Sequence, residues 1–334
     1  MMIHGADIYT YSKIAGCEPH ELIDFSSNIN LYQPNNNITL TNATITKYAE
    51  SNYSSLKERI AKNYAIESDQ IALYNGATAA ISSLLSQLEP KKVHLYAPLY
   101  GEYEKALLSS KKSLSRINRI SDIKNVPDKN SIVIFVNPST PDGEYHKLQK
   151  LFKLWKKHKC TIIIDESFLE FEELASCRDE IKEYKKLYII QSFTKFYACA
   201  GVRIGALFSH KKNIKKLKRE LWNISSLDAE FLEWRLGDEE FKRKSRELHK
   251  LQKAELNALL EESGLFDEIA ESQANFILVH TPFGKKLFEY LLSRKILVRS
   301  CESFEYLDEN WLRFAVKDAE SQKSLRAALL AFKS

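Results

Sequence analysis

Glycine and proline are scarce in this chain, 10 and 8 among 334 residues, while apolar content is ordinary at 44%. Collagen-like, mucin-like and largely disordered organisation are thereby excluded. No apolar run approaches the ~18–20 residues that span a bilayer, so no membrane partner is expected. The opening residues, MMIHGADIYTYS, put a His and an acid where an export signal is apolar, which argues against export. The five cysteines (Cys17, Cys160, Cys177, Cys199 and Cys301) lie far apart, without a C-x-x-C spacing. Such scatter fits reduced thiols in a cytoplasmic protein and offers no metal cluster. Excess charge is small too: 49 Lys and Arg against 44 Asp and Glu leave +5. The one dense basic run, KKNIKKLKRE (211–220), has no interleaved aromatics. It reads as the solvated face of a helix with Ile214, Leu217 and Leu221 on the other side, and no nucleic-acid partner is expected.

What is present is an alternation of short apolar runs and amphipathic stretches. IALY (71–74), VHLYA (93–97), SIVIFV (131–136), TIIID (161–165) and LYIIQS (187–192) read as strands. Helices are expected over 77–88, 102–110 and 147–158. Strands this apolar, separated by helices, imply an α/β fold with a mostly parallel sheet flanked by helices. Ligands of such sheets lie at the carboxyl ends of the strands. After about Arg219 the pattern changes. A charged helical connector (239–262) precedes short strands at 275–280, 296–300 and 311–316, with helices over 285–294 and 320–332. This predicts a second, smaller α+β domain, and 334 residues suffice for both.

Several polar residues fall just after the expected strands. Gly76, Ala77 and Thr78 follow the first strand and open a helix, where free N–H groups and the helix dipole suit a phosphate. Taken alone, that turn is also an ordinary tight turn. Asn137 follows the third strand, and Asp165 ends the fourth. A carboxylate at the tip of a buried strand needs a partner, such as a cationic ring nitrogen or a metal. A metal is disfavoured, since no His or Cys lies at ligand spacing from it. Lys195 sits among apolar and small residues in SFTKFYACAGVRIGAL, with Ser192, Thr194 and Arg203 nearby in sequence. Burial lowers a lysine pKa and makes its amine a nucleophile toward a carbonyl. Hydroxyls and an arginine beside it form a phosphate pocket. A ligand with a phosphate, an aldehyde and a basic ring nitrogen satisfies all of these, and pyridoxal 5′-phosphate (PLP) has the three. Lys195 would form the Schiff base, Asp165 would keep the ring nitrogen protonated, and Asn137 would hydrogen-bond the ring hydroxyl. Tyr100, in APLYGEY, would stack on the ring.

The order NGAT, P-x-Y, NPxxPxG, DExF, SxTK and R-x-G resembles the fold-type I PLP-dependent enzymes of the class I/II aminotransferase superfamily across most of the chain. The resemblance implies Lys195, Asp165 and Asn137 in the roles just given. It implies a phosphate cup of Gly76, Ala77, Thr78, Ser192, Thr194 and Arg203. It also implies a homodimer in which Tyr48 reaches the neighbouring subunit's cofactor phosphate. The expected division is an N-terminal segment (1–35) contributing to the substrate site, a large PLP-binding domain (36–225) and a small C-terminal domain (226–334).

Two subfamilies compete. The chain resembles L-threonine-O-3-phosphate decarboxylases of cobalamin synthesis in its His4-Gly5 start leading to DFSSNIN (24–30), in DESFLEF (165–171) and in SFTKFYA (192–198). That resemblance nominates His4 and Asn28 for substrate binding. Arg299 and Arg313 match arginines that bind the substrate's anionic groups, as guanidinium suits carboxylate and phosphate. The function implied is decarboxylation of L-threonine O-3-phosphate or L-serine O-phosphate. The alternative is an aminotransferase acting on a phosphorylated substrate such as histidinol phosphate, whose family usually carries a tyrosine where Phe168 stands.

Overall fold

The computed structural model describes residues 7–34 and 45–333. His4 lies outside the described residues. In chain order the strands are β1 (Ile23–Asp24), β2 (Ile71–Tyr74), β3 (Lys92–Ala97), β4 (Ser113–Asn118), β5 (Ile132–Val136), β6 (Thr161–Asp165) and β7 (Leu187–Ser192). They continue with β8 (Gly205–Ser209), β9 (Glu268–Ile269), β10 (Phe276–His280), β11 (Ile296–Leu297), β12 (Arg299–Ser300) and β13 (Trp311–Ala315).

Seven strands form the main sheet in the order β2-β8-β7-β6-β5-β3-β4. All neighbours pair in parallel except β8, which runs antiparallel to β2 and β7. Alternate residues of each strand enter two different cores, as a two-residue period requires. Val133, Phe135, Ile162 and Ile164 pack on one face with helices Ser54–Tyr64 and Gln149–Lys157. Ile132, Ile134, Val136 and Ile163 pack on the other with helices Gly76–Gln87 and Glu102–Ser109. The helix Ser226–Leu236 sends Leu232 and Leu236 into the first of these cores.

Two of the main-sheet strands were not expected. β4 is an edge strand whose side chains are mostly solvated, so SLSRIN lacks the apolar run of its neighbours. β8 is central, yet GALFS begins with residues of low strand propensity. The basic run also departs from expectation. Its helix is only Lys211–Lys216; Ile214 is buried and Leu217 half-buried against the sheet, but Leu221 is 66% exposed.

The C-terminal part forms an antiparallel sheet, β12-β13-β10-β9, packed against helices Gly284–Ser293 and Ala319–Ala331 and the far half of the long helix Glu239–Ser263. The run at 296–300 is divided. β11 pairs in parallel with β1 from the N-terminal segment, whereas β12 joins β13. The N-terminal segment is therefore stitched to the C-terminal sheet, with Phe25 N–H donating to the Leu297 carbonyl and Ala315 N–H to the Phe25 carbonyl.

Candidate active site

The site lies where β5, β6 and β7 end. Val136 pairs with Asp165, and Asp165 with Ile190, so Asn137, Asp165 and Ser192 emerge side by side. Asp165, the last residue of β6, and Glu166 after it have opposite fates. Asp165 follows the face of Ile163 and meets the helix Glu102–Ser109. Its Oδ2 accepts from the Tyr103 hydroxyl at 2.7 Å, and Oδ1 accepts from Ser167 N–H and Oγ at 3.0 and 2.5 Å. Glu166 follows the opposite face and is tied up by Ser176 Oγ, Cys177 N–H and Arg178. Asp165 is 4% exposed, and no cation lies within ion-pair distance among the described residues. Burial pushes its carboxyl upward, while the bonds from Ser167 and Tyr103 and the charge of Lys195 pull it down.

Lys195 lies in the turn after β7. Its amine has no hydrogen-bond or ion-pair partner among the described residues. Burial lowers its pKa to about 8, helped by the charges of Arg313 and Arg203 and opposed by Asp165. The Lys195 carbonyl accepts from Asn30 N–H at 3.0 Å, and Asn30 Nδ2 donates to the Phe196 carbonyl at 2.6 Å and to Ser245 Oγ at 2.8 Å. The DFSSNIN segment thus ends on the lysine turn.

Gly205 lies between Tyr74 of β2 and Ser192 of β7, which brings Gly76 close to Ser192. A Cβ at Gly205 would sit 2.4 Å from Ala77 N, and one at Gly76 (φ +80) would sit 2.6 Å from Arg203 Nη2. Only glycine allows this approach. The Arg203 guanidinium lies against Gly76 and has no hydrogen-bond partner among the described residues. Ser192 Oγ and Thr194 Oγ1 are 2.9 Å apart, and Thr78 Oγ1 meets the Tyr100 hydroxyl at 3.3 Å. The first N–H groups of helix Gly76–Gln87 complete a cup of donors. Asn137 is pinned by the His146 backbone, donating through Nδ2 at 3.0 Å and accepting at Oδ1 at 2.8 Å. One N–H of Nδ2 remains for a ligand.

Arg313 is buried. It donates to Thr140 Oγ1 at 2.6 Å and to the Ser26 carbonyl at 3.1 Å, and its Nε has no partner. Burial lowers its pKa to about 10. Arg299 stands directly opposite it in the β12–β13 ladder and donates to Ser303 Oγ at 2.8 Å. Asn28 is buried with Oδ1 unpartnered, while its carbonyl accepts from Asn275 Nδ2 at 3.0 Å. Tyr48 does not join this group: it is 81% exposed and stacks on Trp222.

The sequence reading missed Tyr103, Ser167, Thr140 and Asn30. Tyr103 carried a signal, since it follows Tyr100 by three residues, one helical turn. Asn30 and Thr140 lie within motifs already singled out.

These residues fit PLP. Among the described residues the buried carboxylate has no ion-pair partner, the Arg203 guanidinium and helix N–H groups form an anion cup, and the unpaired Lys195 amine of lowered pKa follows the end of β7. Residues 20–329 match the aminotransferase class I and II family, and the chain belongs to it. It is an enzyme of the PLP-dependent class that this fold and family define, with PLP as cofactor. Among its relatives is the adenosylcobalamin biosynthesis bifunctional protein CobDQ of Leptospira interrogans, 31% identical over 96% of this chain; the chain spans 40% of that protein's length. The threonine-phosphate decarboxylase of Salmonella typhimurium is 26% identical, covering 98% of this chain and 95% of that one. The crystal structure of the histidinol-phosphate aminotransferase from Clostridium acetobutylicum superimposes with a TM-score of 0.79 at 29% identity, covering 92% of this chain and 97% of that one.

Proposed function

We propose that this enzyme decarboxylates L-threonine O-3-phosphate or L-serine O-phosphate to an amino-alcohol phosphate, as in cobamide synthesis. The observation that carries the reading is the facing pair Arg299 and Arg313 beside the DFSSNIN segment. An amino-acid phosphate brings two anionic groups, and guanidinium binds both by paired hydrogen bonds.

Bound PLP supplies an electron sink for the pair left when a bond at the substrate Cα breaks. Lys195 would hold the cofactor through its amine, whose pKa of about 8 leaves far more of it neutral than in an ordinary lysine. Asp165 would balance the ring nitrogen, and Asn137 would offer its remaining N–H to the ring hydroxyl. Gly76, Ala77, Thr78, Ser192, Thr194 and Arg203 would hold the phosphate. Arg299, Arg313 and Asn28 would orient the substrate, and so decide which Cα bond is placed to break. With the carboxylate bond so placed, CO₂ would be lost and a proton returned to Cα. With the hydrogen so placed, the Lys195 amine would take that proton, as transamination requires. The exposed Tyr48 is read as reaching a second subunit in a homodimer.

The likeness to histidinol-phosphate aminotransferase supports a second reading, transamination of a phosphorylated amine. Incubation with threonine phosphate, serine phosphate and histidinol phosphate, with and without 2-oxoglutarate, separates the two. The proposal expects CO₂ from threonine or serine phosphate without an acceptor. Turnover that requires 2-oxoglutarate and releases no CO₂ would overturn it.

A further inference from the structure

Tyr103 is fully buried on the helix Glu102–Ser109, in an apolar cluster with Leu99, Leu107, Val136 and Ile163. A phenol in such a place needs a partner for its polar end. Its hydrogen-bond partner is Asp165 Oδ2 at 2.7 Å. We propose that Tyr103 is a positioning residue that holds the Asp165 carboxylate aimed and ionised for the cofactor ring nitrogen. The inference rests on the assignment of Asp165 to that nitrogen.

Burial, and next the charge of Asp165, raise the Tyr103 hydroxyl well above its usual range, so it keeps its proton. An ionised carboxylate can only accept, so the hydroxyl donates to it. Ser167 supplies the two donors to the other oxygen, from the strand end itself. Tyr103 is the donor from a separate element, so it fixes the carboxylate relative to the helix that begins just after Tyr100. One turn of chain thus carries both the expected ring-stacking side chain and the clamp on the ring's counter-charge. The titratable groups facing Asp165 are Tyr103 and Tyr100 from this helix and the turn before it, and Lys195 from the turn after β7.

Removing the hydroxyl leaves a buried carboxylate with one donor fewer, and its proton affinity rises. A hydrogen bond to a charged group corresponds to about a tenfold or larger change in an equilibrium, or about one pH unit. A protonated Asp165 cannot balance a cationic ring, so the loss appears at the acid end.

The test is PLP retention by holoenzyme, read from visible absorbance after dialysis across pH 5 to 9, for wild type, Tyr103→Phe and Asp165→Asn. Tyr103→Phe is expected to release PLP at a midpoint about one pH unit higher than wild type, with near wild-type retention at pH 9. An unchanged midpoint overturns the inference. So does an equal weakening at every pH, which is what lost packing alone produces. Asp165→Asn is expected to bind weakly with no acid limb in this range. If it instead retains PLP with the wild-type profile, the assignment of Asp165 is what fails.

Discussion

Arg299 and Arg313 face each other residue for residue across β12 and β13, one partly exposed and the other buried. The buried member is anchored to the N-terminal segment through the Ser26 carbonyl and to the loop after β5 through Thr140. Three distant parts of the chain therefore meet at one guanidinium, which still has an unpartnered Nε.

Arg313→Lys keeps the charge and loses the fork that reaches Thr140 and Ser26 together. Steady-state kinetics should show KM for the phosphorylated substrate rising by about tenfold or more. Arg299→Gln should raise KM as well, since it removes one of the two facing guanidinium groups. An unchanged KM in both variants would contradict this account of the pair.

The Lys195 amine is depressed from its ordinary 10.5 to about 8. Its neutral, nucleophilic fraction should therefore fall about tenfold for each pH unit below that value. Stopped-flow uptake of PLP by apoprotein should accelerate with pH and level off above about 8. A rate that keeps climbing toward pH 10 would show an unperturbed lysine.

Gly205→Ala places a methyl where Ala77 N already lies, so the turn at Gly76 must move. Overpacking of this kind costs about 1–3 kcal/mol. Chemical denaturation should show that loss, together with weakened PLP retention at all pH values. Wild-type stability would mean that the close approach of these strands is not required.

Asn30→Asp keeps the acceptor for Tyr32 N–H and removes the donors to the Phe196 carbonyl and Ser245 Oγ. The Ser245 hydroxyl can turn to donate, but the buried Phe196 carbonyl is left facing a carboxylate, which costs about 1–3 kcal/mol or more. The lysine turn is the element that loses its anchor, so kcat should fall more than KM rises. The reverse split would place Asn30 at the substrate rather than behind Lys195.

Tyr48 is exposed and stacked on Trp222. In a homodimer, Tyr48→Phe should weaken PLP binding without altering Tm. Sedimentation showing a fully active monomer would remove that role.

Much of the site was legible because strand ends are legible. Runs such as SIVIFV and TIIID are apolar on both faces, so the first polar residue after each, or the last within it, marks the carboxyl edge; Asn137 and Asp165 were found this way. Strands without that contrast stayed hidden, β4 because it is solvated and β8 because it opens with Gly-Ala. The supporting residues were harder still. Tyr103 and Ser167 matter only through what they donate to, and those partners are set by the packing of a helix on a sheet. The basic run misled for a related reason: helical spacing continued in the sequence to Leu221, but the helix stops at Lys216 and the chain turns outward.

The most direct measurement is borohydride fixation of the bound cofactor in holoenzyme, followed by mass analysis of the peptides. The account predicts the pyridoxyl adduct on the peptide containing SFTKFYA, at Lys195, and its disappearance in Lys195→Ala. An adduct on another lysine, or a visible band that survives in Lys195→Ala, would contradict it.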